Sequence, residues 1–323
     1  MSLPDTLKGK LNLPVLCSPM FIISTPKMVI EQCKAGVIGS FPALNARPAE
    51  KLDEWLTEIE EALAAYQAEN PSLKVAPYAV NQIAHPTNDR LEHDMQVCVK
   101  HKVPIIITSL QANPMIIEAA HSYGGLVFHD VTNIRHAKKT LSMGVDGLIL
   151  VTAGAGGHAG TLNPFALLSE IRQFFDGPLI LGGAITKGNH ILSAQVMGAD
   201  MAYMGTRFIA TEEANAEQSY KDMVINSSAS DIVYTNLFSG VHGNYLRGSI
   251  ERAGLDPDNL PESDKSKMRF GSDGSSSKTK AWKDIWGAGQ GVGGITQQKS
   301  IADTVAELRD EYETVKQQVA SGL

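Results

Sequence analysis

The chain has 323 residues, of which 43% are hydrophobic and 20% charged, with a formal net charge of −7. These values suit a folded globular protein, and the acidic balance argues against a nucleic-acid binder, which needs clustered Lys and Arg to displace phosphate counterions. Cys17, Cys33 and Cys98 are odd in number and share no CxxC spacing, and Met1-Ser2-Leu3-Pro4-Asp5 opens no basic and apolar leader, so a disulfide framework, a zinc site, a secretion signal and a membrane span are not expected, and a reducing cytoplasm is.

This length accommodates one (β/α)8 barrel of roughly 250 residues carrying an insertion. Short continuous apolar runs, of the kind buried on both faces of a parallel sheet, predict strands at 15–19, 37–41, 74–80, 105–108, 126–129, 148–152, 179–181 and 202–205. Four of them are entered by one phrase, a helix end, a glycine and an apolar run. It reads Ala35-Gly36-Val37-Ile38, Tyr123-Gly124-Gly125-Leu126-Val127, Met143-Gly144-Val145-Asp146-Gly147-Leu148 and Met197-Gly198-Ala199-Asp200-Met201. Glycine after the last helical residue tolerates the left-handed conformation that ends a helix.

Between the strands, Pro48 opens a helix with Leu52, Trp55, Leu56, Ile59 and Leu63 on one face. Asn163-Pro164 supplies a cap and a first-turn proline before Leu167, Leu168, Ile171 and Phe174. Eight strands alternating with helices predict an α/β fold closed as a TIM barrel, with a doubly wound sheet as the alternative. From Thr211 the rhythm breaks, and residues 211–287 read as an inserted, mainly helical substrate lobe with a mobile stretch at 271–280. The barrel, 1–210 and 288–323, then closes on a helix bearing Ile301, Val305, Leu308, Tyr312, Val315 and Val319 at steps of four and three.

Active sites of such barrels lie at the C-terminal ends of the strands. After the seventh strand comes Gly182-Gly183-Ala184-Ile185-Thr186, and after the eighth Gly205-Thr206-Arg207-Phe208. Glycines there expose backbone N–H groups to a phosphate. The run Gly182-Gly183-Ala184-Ile185-Thr186-Lys187-Gly188 does not match GxGxxG, and no GxxxxGK[ST] occurs, so a Rossmann or P-loop nucleotide site is disfavoured. The sixth strand runs into Gly154-Ala155-Gly156-Gly157-His158-Ala159-Gly160, where small residues surround one imidazole suited to general-base work near neutral pH. The other eight histidines lack such a setting, and without HxH or HExxH no metal site is expected.

In order along the chain these segments resemble the nitronate monooxygenases, formerly called 2-nitropropane dioxygenases. The resemblance rests on Ser18-Pro19-Met20, Asn81, the Ala-Gly-Gly-His-Ala-Gly run ending at Gly160, Gly182-Gly183, Met204-Gly205-Thr206-Arg207-Phe208 and the late loop Trp286-Gly287-Ala288-Gly289-Gln290-Gly291. It implies noncovalent FMN, with its phosphate on Gly182, Gly183, Gly205 and Thr206 and its ring near Ser18, Pro19, Met20, Asn81 and Gly156. It implies His158 as the catalytic histidine, acting on alkyl nitronates, with propionate 3-nitronate one candidate, and O₂ to give a carbonyl product and nitrite. Asp130 departs from the lysine or serine of some relatives. It reads either as a carboxylate beside the flavin, opposing the charge of reduction, or as a helix N-cap.

An NAD(P)H-dependent flavin reductase, acting on quinones or enoyl thioesters, shares this resemblance and stays the alternative. A non-catalytic flavin-binding barrel is disfavoured by the His158 loop. Tyr234, Phe238, His242 and Tyr245 are candidate pocket residues of the lobe, and a homo-oligomer stays open.

Overall fold

The computed structural model describes residues 3–263 and 284–322. The expected mobile stretch at 271–280 lies outside the described residues. Eleven strands are described: β1 (Val15–Cys17), β2 (Gly39–Pro42), β3 (Tyr78–Ile83), β4 (Ile105–Ser109), β5 (Leu126–Val131), β6 (Gly147–Val151), β7 (Gly157–His158), β8 (Leu179–Gly182), β9 (Met201–Met204), β10 (Ile232–Thr235) and β11 (Gly243–Leu246). Eight of them form one parallel sheet in the order β1-β9-β8-β6-β5-β4-β3-β2. Its two edges meet where Leu16 bridges Ile38, with Cys17 N donating to Ile38 O at 2.8 Å. The predicted TIM barrel is therefore the observed fold.

Every predicted strand is present, with shifts that have local causes. The third begins at Tyr78 rather than Lys74, because Pro77 has no N–H to give a neighbouring strand. The second begins its ladder with β3 at Gly39.

Alternation along the strands divides the apolar residues into two cores. Leu16, Ile38, Ala79, Ile105, Ile107, Phe128, Ile149, Ile180 and Met201 fill the barrel, joined by Leu7 from the segment before β1. Val15, Val80, Ile106, Val127, Leu148, Leu150, Leu179, Leu181 and Ala202 belong to the outer core with the helices. Two residues beyond each interior position the same period brings Ser18, Asn81, Ser109, Asp130, Gly182 and Tyr203 to the C-terminal end of the barrel.

The helix Pro164–Ile171 starts as expected, with the Asn163 side chain accepting from Phe165 N and proline in its first turn. The closing helix, Ile301–Ala320, is capped by Ser300, whose hydroxyl accepts from Asp303 N at 3.1 Å. Ser300→Ala is expected to lower unfolding free energy by about 1 kcal/mol, read as a shift of the urea midpoint with unchanged slope. An unshifted midpoint would show that the cap contributes nothing. Among the described residues no helix is long and apolar enough to cross a membrane.

The segment after Thr211 contains the helices Gln218–Asn226 and Arg247–Arg252. It also carries β10 and β11, which form with β7 a three-stranded antiparallel sheet not expected from the sequence. This sheet matters because β7 is the loop that holds His158.

Candidate active site

A cavity of about 560 Å³ opens at the C-terminal ends of the barrel strands, within the size range of small-molecule and cofactor sites. All eleven residues that the resemblance assigns to catalysis or the cofactor line it. Ser18, Pro19 and Met20 come from the end of β1, Asn81 from β3, Asp130 from β5, and Gly156 and His158 from the loop after β6. Gly182 and Gly183 follow β8, and Gly205 and Thr206 follow β9. The segment after Thr211 adds Tyr220 and His242, and the late loop adds Gly287, Gly289 and Gly291. Among the described residues no Lys or Arg lines this cavity.

The glycines are sterically required. At Gly183, φ is +148°, and a Cβ would lie 2.2 Å from Thr152 Oγ1. At Gly156 a Cβ would lie 2.8 Å from Gly289 N, because the late loop is stitched onto this wall. Gly289 N donates to Thr206 Oγ1 at 2.9 Å, and Gln290 N donates to Gly154 O at 2.9 Å.

His158 pairs with Gly243 of β11, so the lobe sheet fixes its backbone. Its Nε2 lies 2.8 Å from Ser239 Oγ, and that hydroxyl donates to Val241 O at 2.9 Å. Burial pushes His158 down to about 4. The sequence suggested a histidine titrating near neutrality; desolvation instead holds it neutral at pH 7.

At the end of β5, Asp130 belongs to a directed chain. Asn81 Nδ2 donates to Ile107 O at 3.2 Å and to Ser109 Oγ at 2.8 Å, and Ser109 Oγ donates to Asp130 Oδ2 at 2.6 Å. Burial pushes the Asp130 carboxyl up to about 7, against the lowering effect of Ser109. The adjoining helix is capped by Asn133, which accepts from His136 N at 2.9 Å. Asp130 is therefore not an N-cap.

Several lining or supporting groups escaped the sequence reading. Ser109 and Tyr203 occupy interior period-two positions that a strand register could have found. Among the described residues Thr186 Oγ1 and Asp130 Oδ1 are buried without a hydrogen-bond partner, and such atoms call for a polar occupant. His136 lines the cavity with its Nε2 3.1 Å from His129 Nε2, while His129 Nδ1 lies 2.6 Å from Thr108 Oγ1. Burial pushes His129 to about 3 and lowers His136 as well. Of the four lobe candidates only His242 lines the cavity among the described residues, with Tyr234 stacked on it at 5.0 Å. Phe238 and Tyr245 pack on each other at 5.1 Å in the lobe core.

The profile of the nitronate monooxygenase family matches residues 5–311. A probable nitronate monooxygenase of Staphylococcus aureus (strain JH9) is 25% identical over 259 residues, covering 70% of this chain and 73% of the relative. Among solved structures, nitroalkane oxidase from Streptomyces ansochromogenes is similar with a TM-score of 0.78 at 19% identity, covering 98% of this chain and 100% of that one. FabK from Thermotoga maritima is similar with a TM-score of 0.76 at 21% identity, covering 99% and 98%. The structural likenesses speak for the barrel, and the profile speaks for the family.

Proposed function

We propose that this chain, which belongs to the nitronate monooxygenase family of oxidoreductases, binds FMN in the barrel cavity and oxidises alkyl nitronates with O₂ to a carbonyl product and nitrite. The observation that carries this reading is that His158 and the glycine turns after β8 and β9 line one cavity. The cavity suits a flavin on a further ground: among the described residues its buried atoms Asp130 Oδ1 and Thr186 Oγ1 have no hydrogen-bond partner and suit an occupant with polar edges.

When bound, the flavin would supply the electron acceptor for the substrate and the donor for O₂. Gly182, Gly183, Gly205 and Thr206 would hold the phosphate, and Ser18, Pro19, Met20, Asn81, Asp130 and Gly156 would border the ring. Held neutral by burial and lining the cavity, His158 is suited to accept a proton from a neutral nitroalkane. The late loop, tied down through Gly289 and Gln290, covers this wall and limits water. Three free, buried cysteines support assignment to a reducing cytoplasm.

The test compares purified protein given a nitronate and O₂ with protein given NADH and a quinone. Nitrite release with O₂ consumption in the first arm is expected. Rapid anaerobic bleaching of the flavin by NADH, without nitrite from the nitronate, would replace this reading with a reductase.

A further inference from the structure

Asp130 is the one carboxyl group lining the cavity among the described residues, and no Lys or Arg shares that lining. Its hydrogen bonds have a fixed direction. Ile107 O can only accept, so the Asn81 atom facing it is the amide nitrogen. That nitrogen also donates to Ser109 Oγ, whose own proton therefore goes to Asp130 Oδ2. Oδ2 is an acceptor, and among the described residues Oδ1 is buried without a partner. A carboxylate would leave a charged oxygen there with neither donor nor cation, an expensive arrangement. A proton on Oδ1 converts the same atom into a donor.

We infer that Asp130 is a neutral carboxylic acid whose Oδ1–H donates a hydrogen bond to a ring acceptor of the bound flavin. The identity of the acceptor rests on the flavin reading above; the protonation state rests on the hydrogen-bond chain. Burial raises Asp130 to about 7, so the acid form persists to neutrality. Tyr203 of β9 faces it, and its phenol is pushed well above its ordinary value by burial and by Asp130. His136 and His158 line the same cavity, both lowered by burial, and supply no fixed positive charge. The effect expected of a carboxylate is thus reversed: a donated hydrogen bond strengthens as electron density grows on its acceptor.

Three measurements on wild type, Asp130→Asn and Asp130→Leu test this. Infrared spectra of the apoprotein at pH 6 should show a carboxylic-acid C=O band that both variants lose. FMN titration from pH 6 to 9 should show wild-type affinity falling above pH 7, approaching about tenfold per pH unit. Asp130→Asn, neutral and still a donor, should be pH-independent over that range, and Asp130→Leu pH-independent and weaker. Apoprotein stability should also decline in wild type as pH rises from 3.8 toward about 7, because the folded state binds this proton more tightly; Asp130→Asn should lack that decline. An acid band that persists in both variants, or Asp130→Leu matching wild type in affinity and pH slope, overturns the inference. No FMN uptake by wild type at any pH would sink the flavin reading, and the infrared band would still decide the protonation of Asp130.

Discussion

His158→Ala is expected to lower turnover of neutral nitroalkanes by about 10²–10⁴-fold, the usual contribution of a positioned general base. Pre-formed nitronates, which have already lost that proton, should lose much less. The neutral imidazole is the active form, so wild-type kcat/KM for a nitroalkane should rise with pH through about 4 and stay level above it. In the variant that limb should vanish. His158→Asn, closer in volume, keeps a donor but no base and should behave like alanine toward nitroalkanes. Intact nitroalkane turnover in His158→Asn would refute the base assignment. Stability gives a separate readout. The folded state holds His158 below its ordinary 6.5, so the unfolded chain binds the proton more readily and stability falls as pH drops from 6.5 toward about 4. His158→Ala should remove that share of the decline.

The barrel is readable in the sequence because buried parallel strands are continuous apolar runs and their helices end at glycine. The strand-end glycines and His158 are readable for a related reason: the local sequence already fixes their conformational freedom and chemistry. Groups that depend on closure of the fold are not. Ser239 reaches His158 across 81 positions, and no local pattern announces it. The strand β11, Gly243-Asn244-Tyr245-Leu246, contains poor strand formers and is held by pairing with β7 and by Asn244 Nδ2 donating to Ala155 O at 2.6 Å. Its partner β10, Ile232-Val233-Tyr234-Thr235, has strand-forming residues, but the mixed composition around it masks them. Asp130 and His158 are legible as residues while their protonation states are not, since desolvation comes from every element packed around them.

Gly183→Ala is expected to weaken FMN binding by about 100-fold or more. Two costs arise together. The backbone at φ +148° disfavours an L side chain, at about 1–3 kcal/mol. The new Cβ would also sit 2.2 Å from Thr152 Oγ1 and 3.0 Å from Ala153 O, overpacking that costs about 1–3 kcal/mol. Thr152 cannot simply turn away, because it is fully buried and its hydroxyl donates to Gly182 O at 2.7 Å. Relief must come from the 182–184 turn, which would re-aim the N–H groups assigned to the phosphate. A loss of about 2.8 kcal/mol in binding corresponds to 100-fold. Riboflavin, lacking the phosphate, should lose far less affinity than FMN. Adding Thr152→Ala removes the hydroxyl clash but not the backbone strain, so it should restore part of the melting temperature and only part of FMN affinity. Equal losses for FMN and riboflavin would remove the phosphate from this turn and leave Gly183 a packing requirement alone.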